Sequence, residues 1–405
     1  MKSIPWFVYV VAILSIGLSL FFHFSESSDS MLNDKNLRIS EAYLDQVVQL
    51  HETDITFSRR PLTNLGIRGL SSVTGFSTGV SFIVFNYLAY FISGILLYFL
   101  SLRLGANTRQ GILNMLLYFF CFSNLFAFFP PIYSYDDPLQ FLFIFAGLIA
   151  LYNKKWLFYL LWFTLAMIAR EGTLFLIPAL FFFMQTQFAE KQVKLLSFES
   201  IKRGFLLALP VVFYIVFITV YVKAMKMQVM NNSAMEERLA HFKLNFDTQA
   251  NAIESFISIY IICGVPLYLL YTSLTANHLK EKYLPYAKAF ILTFVLNTLI
   301  VVLFTKTREA RLLVLPLFFI WPVFVQTFSV ELGYFVNKEA YRKLFGNGIK
   351  MILLIFLIFL SNLFCHKVFL STAGGDDYFS GYLFFVNAFI LLHLFLRSGF
   401  YSKAD

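Results

Sequence analysis

Apolar runs of helical length alternate with short polar segments along nearly the whole chain. About 20 consecutive apolar residues cross a hydrocarbon core about 30 Å thick, so this pattern predicts membrane-spanning helices. We predict an all-α, polytopic membrane protein with about 12 transmembrane helices and both chain termini on the inner side. The predicted helices are Ile4–Phe24, Gly79–Leu102, Gly111–Phe129, Pro138–Tyr152, Trp156–Ala169, Thr173–Phe188, Gly204–Val222, Ser255–Thr275, Ala289–Thr305, Leu312–Val330, Met351–Cys365 and Tyr382–Leu396.

The longest polar segment is the first outer loop, residues 25–78. Two stretches of this loop, Leu37–Leu50 and Pro61–Leu70, have apolar residues at helical spacing but are too short to cross a membrane. In the first stretch, apolar side chains form one stripe and polar side chains another, which is typical of a helix that lies in the membrane interface. The apolar stripe is expected to consist of Ile39, Tyr43, Val47 and Leu50.

The fourth and fifth predicted helices are short and are joined by only a polar tripeptide, residues 153–155. At about 1.5 Å per residue, each helix extends roughly 21–23 Å, which is less than the thickness of the hydrocarbon core. The charges at the ends of this pair are therefore drawn toward the apolar region, where burying charge is costly and commonly serves function. Ordinary loop charges at helix ends would give the same local pattern. The charged residues are Asp136, Asp137, Arg170 and Glu171.

The composition supports a membrane protein and excludes other classes. Hydrophobic residues make up 59% of the chain and charged residues 14%, whereas soluble domains carry about 25% charged residues. The net charge is +9, but the Lys and Arg residues are scattered over short loops, so we expect no nucleic-acid partner. The three cysteines lie in separate apolar runs and lack the spacing of a disulfide framework or a zinc site.

The chain divides into two helical parts. Residues 1–190 contain helices one to six with the first outer loop, and residues 191–405 contain helices seven to twelve. We expect no separate soluble domain. The first apolar run lacks a small-residue cleavage site after it, so we expect a retained helix rather than a signal peptide. The excess of Lys and Arg on the inner side is small and gives limited support to the orientation.

In this topology the outer segments collect an unusual set of acidic and basic residues. Several arginines beside several carboxylates on one side could bind an anionic headgroup while a carboxylate performs acid/base catalysis. A single arginine at a helix end more often reaches lipid headgroups. Arg308 and Arg311 are expected to share a face if the tenth helix begins there. The set comprises Asp29, Asp34, Glu52, Asp54, Arg59, Arg60, Asp136, Asp137, Arg170, Glu171, Lys306, Arg308, Glu309 and Arg311.

These features resemble the GT-C superfamily of membrane glycosyltransferases, which use sugars carried on polyprenyl phosphates. The similarity lies in an acidic first outer loop with interfacial helices, an Arg-Arg-Pro-Leu segment before the second helix, an acidic second outer loop, and a short helix pair that ends in a basic turn. It covers the first 190 residues, whereas the second half shares only its many helices and the basic turn 306–311. Family members commonly carry an acidic pair directly after helix one. This chain has no Asp-x-Asp there but has Asp29 and Asp34, followed later by Glu52-Thr53-Asp54.

The resemblance implies transfer of a sugar from a polyprenyl-phosphate donor to a glycan, lipid or protein acceptor, with inversion at the anomeric carbon. It implies a carboxylate base, for which we choose Asp34, with Asp29 and Asp54 as alternatives. Asp136 and Asp137 would orient the acceptor or a divalent metal such as Mg²⁺ or Mn²⁺, although no cofactor is required by the sequence. The implied ligands of the donor phosphate are Arg59, Arg60, Arg170, Lys306, Arg308 and Arg311, supported by Glu171 and Glu309.

Other functions fit the same sequence. A transporter or flippase of lipid-linked sugars would share the arginines, but it usually carries its ionisable residues near the bilayer midplane. A polysaccharide polymerase or ligase usually has its large outer loop in the later half, and a non-enzymatic scaffold would be insensitive to charge substitutions. We expect a bacterial cytoplasmic membrane with the active face outward, although the sequon Asn231-Asn232-Ser233 leaves the endoplasmic reticulum open.

Overall fold

The computed structural model of the protein describes residues 5–25, 32–35, 39–125, 135–187, 198–227, 232–373 and 377–401. Over these ranges the chain is helical, and its only β-pairing is an isolated bridge between Leu32 and Ile39, which confirms the predicted all-α class. The α-helices are α1 (Trp6–Ser25), α2 (Glu41–Thr53), α3 (Ile55–Ser58), α4 (Pro61–Thr74), α5 (Thr78–Arg103), α6 (Thr108–Phe119), α7 (Phe122–Leu125), α8 (Asp137–Tyr152), α9 (Trp156–Ala169), α10 (Ile177–Gln187), α11 (Phe198–Ala224), α12 (Asn232–Leu244), α13 (Gln249–Thr275), α14 (Leu284–Phe304), α15 (Leu317–Ile320), α16 (Phe324–Thr327), α17 (Ser329–Gly333), α18 (Lys338–Phe345), α19 (Gly348–Leu363), α20 (Leu370–Ala373) and α21 (Asp377–Tyr401).

Within the described ranges, seven helices are long and apolar enough to cross a membrane, or eight if one bent pair counts as a single span. They are α1, α5, α11, α13, α14, α21 and the helix that α19 and α20 form together through the π-helical segment Phe364–Phe369. The chain is therefore a multi-pass membrane protein. The remaining predicted spans correspond to shorter or broken helices, so the prediction of about 12 full-length spans is not confirmed.

The short helix pair is confirmed, because α8 has 16 residues and α9 has 14. The turn between these helices is closed by the backbone. Lys154 lies in the left-handed region with a φ of 57°. Its N–H donates to the carbonyl of Leu151, and the N–H of Lys155 donates to the carbonyl of Ala150. These two bonds form a Schellman motif, which satisfies the last carbonyls of α8 and reverses the chain direction.

The first outer loop forms two amphipathic helices, α2 and α4, at the two predicted places. α2 begins after Ser40, whose Oγ accepts a hydrogen bond from the N–H of Tyr43. The predicted apolar stripe of α2 is wrong in part, because Leu50 is 41% exposed. The buried positions recur at the spacing of one helix face, since α2 packs along this face against the protein. They are Leu44, Val47, Val48 and His51.

α4 is held close to α5 and reaches the start of α8. Pro61 occupies its first turn, where a missing N–H costs nothing. A Cβ atom on Gly66 would lie 2.2 Å from the ring of Phe85 on α5, so a larger residue there would have to displace this ring. The helix ends at Gly75, whose φ of 73° is the left-handed conformation of a C-terminal cap.

The predicted tenth helix, Leu312–Val330, is broken in the structure. Its first part forms a 3₁₀ turn, Ala310–Leu313, and the helical segments Leu317–Thr327 and Ser329–Val336 are bent by 52°. Pro322 cannot donate a backbone hydrogen bond, so the helix is weakened there. Asn114 of α6 compensates, because its Nδ2 donates to the carbonyl of Pro322 at 2.9 Å and its Oδ1 accepts from the N–H of Val325 at 3.0 Å. Broken helices inside a membrane protein need such partners.

Two further boundaries differ from the prediction. In place of the first part of the predicted third helix, Gly111–Phe129, α6 ends at Phe119 and the separate helix α7 follows. Residues 126–134, which include the predicted end, lie outside the described ranges. The predicted outer loop between helices seven and eight contains α12. Asn245, just after α12, donates from Nδ2 to the carbonyls of Val302 and Thr305, so this loop is fastened to the end of α14.

Candidate functional site

Oppositely charged side chains gather at the end of the α8–α9 hairpin where α8 begins and α9 ends. They come from the start of α4, the start of α8, the turn after α9, and the 3₁₀ segment Ala310–Leu313 with the residue before it. Each is joined to at least one other by an ion pair. We call this group the hairpin-end cluster, and its members are Arg60, Asp136, Asp137, Arg170, Glu171, Glu309 and Arg311.

Asp137 is the central anion of the hairpin-end cluster. It is the first residue of α8 and is only 2% exposed. Oδ1 forms an ion pair with Arg170, and Oδ2 lies 3.1 Å from Nη1 of Arg311. Both oxygens are thus engaged by guanidinium groups, which favours a carboxylate that holds cations over one that accepts a proton.

Asp136 precedes Asp137 but has different partners. Its Oδ1 accepts a hydrogen bond of 2.8 Å from the hydroxyl of Thr63, and its Oδ2 lies 3.7 Å from Nη1 of Arg60, beyond hydrogen-bond distance. Burial raises the pKa of Asp136 to about 6, although Arg60 and Thr63 both act to lower it. A carboxylate whose pKa lies near neutrality is suited to general base catalysis.

Arg60 links the first outer loop to the hairpin. Its Nε donates to Oε2 of Glu171 at 2.8 Å, and its Nη2 donates to Oε1 at 2.5 Å. This two-point pairing is the strong geometry of guanidinium and carboxylate. Burial acts to lower the pKa of Arg60, but Glu171 and Asp136 outweigh burial and raise it above its ordinary value. Arg311 also contacts two carboxylates. Its Nη1 lies 3.1 Å from Asp137, and its Nη2 donates to Glu309 at 2.8 Å.

The turn that carries Arg170 and Glu171 is fixed by buried hydrogen bonds. Nε2 of Gln140 on α8 donates to the hydroxyl of Thr173 at 2.9 Å. The hydroxyl of Thr173 lies 3.0 Å from the carbonyl of Arg170 and 3.1 Å from the carbonyl of Ala166. Its single proton is shared between these two acceptors. α9 therefore ends at a defined angle, which places Arg170 over the start of α8.

The acids predicted in the first outer loop are not brought into the hairpin-end cluster. Asp34 is exposed and forms no hydrogen bond or ion pair with another residue that the structure describes. Asp54 is half-buried at the C-cap of α2, and Glu52 pairs with Arg68 at 3.0 Å near the surface. Asp29 lies outside the described residues.

Three of the predicted basic residues form no ion pair with Asp137, whose partners among the described residues are Arg170 and Arg311. Arg59 is half-buried and Lys306 is exposed, and neither forms an ion pair with a residue in the described ranges. Arg308 pairs with Glu254 of α13 at 3.4 Å, whereas Arg311 turns to Asp137. Arg308 and Arg311 therefore take different partners, because a 3₁₀ turn replaces the expected start of helix ten.

The sequence pattern did not reveal the uncharged residues that orient the hairpin-end cluster, or the acidic partner of Arg308. These are Thr63, Gln140, Thr173 and Glu254. One available signal was the position of Thr63, three residues after Arg60 in a stretch predicted to be helical, which places both on one face. Gln140 and Thr173 resemble other isolated polar residues of apolar helices and offered no such signal.

A divalent metal fits this site poorly. Across the residues that the structure describes, no group of three or more His, Cys, Asp or Glu is arranged to hold a metal ion. The carboxylates of the hairpin-end cluster are bound to guanidinium groups instead.

A second buried charge cluster lies at the other end of the molecule. The two clusters lie near opposite ends of α13. Glu254, the partner of Arg308, is near the start of this helix and Thr272 is near its end. At the rise of an α-helix, these two residues are about 27 Å apart. Nη2 of Arg397 donates to the carbonyl of Thr272. Glu331, which is 0% exposed, lies between Arg397 and two histidines. The members of this Glu331 cluster are Glu331, His278, His393 and Arg397.

Comparison of the chain with protein families, with curated proteins and with solved structures finds no match.

Proposed function

We propose that this protein is a membrane glycosyltransferase that moves a sugar from a polyprenyl-phosphate donor to an acceptor hydroxyl, with inversion at the anomeric carbon. The observation on which this function chiefly rests is the contrast between Asp136 and Asp137. Two adjacent, buried carboxylates have environments that suit them to different tasks, which is the arrangement expected where one acts as a base and the other organises cations. The site belongs to the outer face of a bacterial cytoplasmic membrane in this proposal.

Asp136 is the proposed general base. An acceptor hydroxyl is a weak nucleophile, so a carboxylate must take its proton as the bond to the anomeric carbon forms. The pKa of Asp136 is raised by burial to about 6, so the group is ionised at neutral pH and is still basic enough to accept the proton. Asp34, the base expected from the sequence, is exposed, and no residue in the described ranges forms a hydrogen bond or ion pair that would hold it in one orientation.

The arginines of the hairpin-end cluster are the proposed ligands of the departing phosphate. As the glycosidic bond breaks, negative charge grows on the phosphate, and guanidinium groups aimed at that charge lower the barrier. Arg60 and Arg311 already bind the partly exposed carboxylates of Glu171 and Glu309, whose side chains are 42% and 28% exposed. We expect these two carboxylates to be the ones that yield their places to the phosphate when the donor binds.

The direct test is release of free polyprenyl phosphate from polyprenyl-phosphate sugars by the purified, detergent-solubilised protein, with an added glycan, lipid or protein acceptor or with water itself taking the sugar. Arg170→Ala, Arg311→Ala and Asp136→Asn should each lower the rate by at least 10²-fold, the usual cost of removing one such group. Asp34→Ala is the control, because this acid is exposed and should be dispensable. Retention of near-normal rates by Arg170→Ala, or loss of activity in Asp34→Ala alone, would contradict these roles.

A transporter of lipid-linked sugars is the second candidate. The bent pair Leu317–Thr327 and Ser329–Val336 supports it, since transporters commonly use broken helices. The two functions differ in their products: a transporter moves the intact sugar lipid across a vesicle membrane, whereas a transferase leaves free polyprenyl phosphate. Translocation of unhydrolysed donor in proteoliposomes, with no released polyprenyl phosphate, would favour transport.

A further inference from the structure

Three side chains of the first turns of α4 reach the chain around Asp136. Arg60 binds Glu171 and approaches Asp136, Thr63 donates to Asp136, and Asn64 accepts a hydrogen bond from the hydroxyl of Tyr135. Thr63 is 0% exposed and Asn64 is 6% exposed, so these bonds form in a water-poor environment. α4 therefore covers Asp136 and supplies both its cation and its hydrogen-bond donor.

We infer that Thr63 is a positioning residue, which holds Oδ1 of Asp136 so that Oδ2 is the oxygen left to take the proton of the acceptor hydroxyl. The 2.8 Å bond from Thr63 reaches Oδ1 alone, and the nearest cation lies 3.7 Å from Oδ2. A hydroxyl has one proton to donate, so Thr63 restrains one carboxylate oxygen and fixes the plane of the group. The inference rests on the proposed function only in giving Oδ2 its chemical task.

The hydrogen bond has a second effect, on the charge of Asp136. A donor that binds the ionised form stabilises that form, so Thr63 lowers the pKa of Asp136 against the effect of burial. The charged and polar groups that face Asp136 come from α4, from the turn after α9 and from the segment after α14. They are Arg60, Thr63, Arg170, Glu171 and Arg311, with the hydroxyl of Tyr135 beside them. Among these, Thr63 can lose its hydroxyl without changing the number of charges at the site.

Thr63→Val tests the inference, because valine has the shape of threonine without the donor. A hydrogen bond to a charged group contributes about 1.5–3 kcal/mol, so its loss should move the titration of Asp136 upward by about one to two pH units. Thr63→Ser keeps the hydroxyl and should titrate like the parent protein. Thr293→Val is the matched control, since Thr293 is also 0% exposed but lies on α14, and its Oγ1 has no hydrogen-bond partner in the described structure.

The titration should be followed in two ways. The first is the pH dependence of polyprenyl phosphate release, and the second is isotope-edited infrared titration of aspartic carboxyl groups, with Asp136 identified as the band that Asp136→Asn removes. An upward shift in Thr63→Val, absent from Thr63→Ser and Thr293→Val, supports the positioning role. An unshifted Thr63→Val, or an equal shift in Thr63→Ser, would overturn it.

The two readouts separate the two proposals. If the parent protein releases no polyprenyl phosphate, the proposed function fails, but the infrared titration still decides whether Thr63 controls the charge of Asp136. If release occurs and the rate of Thr63→Val falls equally at every pH while the infrared titration is unchanged, the function stands and the positioning role is wrong.

Discussion

Asp136 and Asp137 are neighbours in sequence, yet the fold gives them opposite surroundings. Asp137 opens α8 and is held between Arg170 and Arg311, while Asp136 lies under α4 with the hydroxyl of Thr63. Two guanidinium groups bind Asp137, whereas Asp136 accepts a hydrogen bond from a neutral hydroxyl and its cation, Arg60, lies farther away at 3.7 Å. Such a pair can divide the work of binding and proton transfer. At the scale of residues, the candidate chemistry depends on this asymmetry.

The pH dependence of transfer should follow Asp136. A general base works only when it is ionised, so with a pKa of about 6 the rate should fall about tenfold per pH unit below that value and level off above it. Initial rates of polyprenyl phosphate release, measured between about pH 4.5 and about pH 8.5, would show this bend near the pKa. A rate that is constant through this range would remove Asp136 from the role of base.

Asp136 should also make the stability of the protein depend on pH. The direction is opposite to that of the transfer rate, because the stability should fall as the pH rises. The folded pKa of about 6 exceeds the ordinary aspartate value of 3.8, so the folded protein binds the proton more tightly than the unfolded chain. The contribution of Asp136 to the free energy of unfolding is therefore full below pH 3.8 and is lost as the pH rises through about 6. The comparison is the pH dependence of unfolding in detergent for the parent protein and Asp136→Asn, in which this loss should be absent.

At the scale of elements, the short α8–α9 hairpin brings the acids toward the basic turns. The helices pack so closely that a Cβ atom on Gly147 of α8 would lie 2.3 Å from the ring of Phe163 on α9. Phe163 is 0% exposed and has no free space to move into without disturbing its neighbours. The contact sets the separation of the two helices, and hence the distance between Asp137 and Arg170 at their ends.

Gly147→Val should therefore destabilise the hairpin and impair the site. Overpacking of a close contact costs about 1–3 kcal/mol, and the displaced α9 should weaken the pairing of Arg170 with Asp137. Thermal unfolding in detergent measures the first effect and polyprenyl phosphate release the second. Gly17→Ala in α1 is the control, because nothing lies within 4 Å of a Cβ there and alanine is the better helix former. Equal melting temperatures for Gly147→Val and the parent would show that the contact is not needed.

At the scale of the whole molecule, charge is buried at both ends of the helix bundle. The hairpin-end cluster gathers four carboxylates and three guanidinium groups, and the Glu331 cluster surrounds one carboxylate at the far end of α13. Oε1 of Glu331 lies 2.7 Å from Nδ1 of His278, and Oε2 lies 3.3 Å from Nε2 of His393. The second cluster joins α17, α21 and the chain after α13, so it ties the later half of the protein together.

Glu331→Ala should be strongly destabilising, because it leaves the guanidinium of Arg397 near the protein interior without its carboxylate. Breaking a buried ion pair costs about 3–5 kcal/mol. Glu339→Ala is the matched control, since Glu339 pairs with Arg342 at 3.0 Å on an exposed face and such pairs contribute about 0–1 kcal/mol. Thermal unfolding of both variants in detergent makes the comparison. Equal losses would mean that the Glu331 cluster does not stabilise the fold.

The predicted helix bounds agree best with the structure where a helix is delimited by residues close to it in sequence. The bounds of α9 match the prediction, and α8 differs by one residue at its start, because polar residues end each apolar run sharply. The prediction failed for helix ten, where Pro316 and Pro322 interrupt an apolar run. Apolar composition continues across that break, so hydropathy alone does not reveal it.

By itself, the sequence determined that this is an all-α, multi-pass membrane protein with a short hairpin carrying charges at its ends. These properties depend on the length and spacing of apolar residues, which act over one or two helical turns. Only the tertiary structure decided which charges meet. Arg311 lies 174 residues from Asp137 along the chain, and Arg60 and Thr63 reach Asp136 from the start of a separate helix, α4. Such pairings follow from the packing of distant segments in a medium that screens charge poorly, where every buried ion must find a partner.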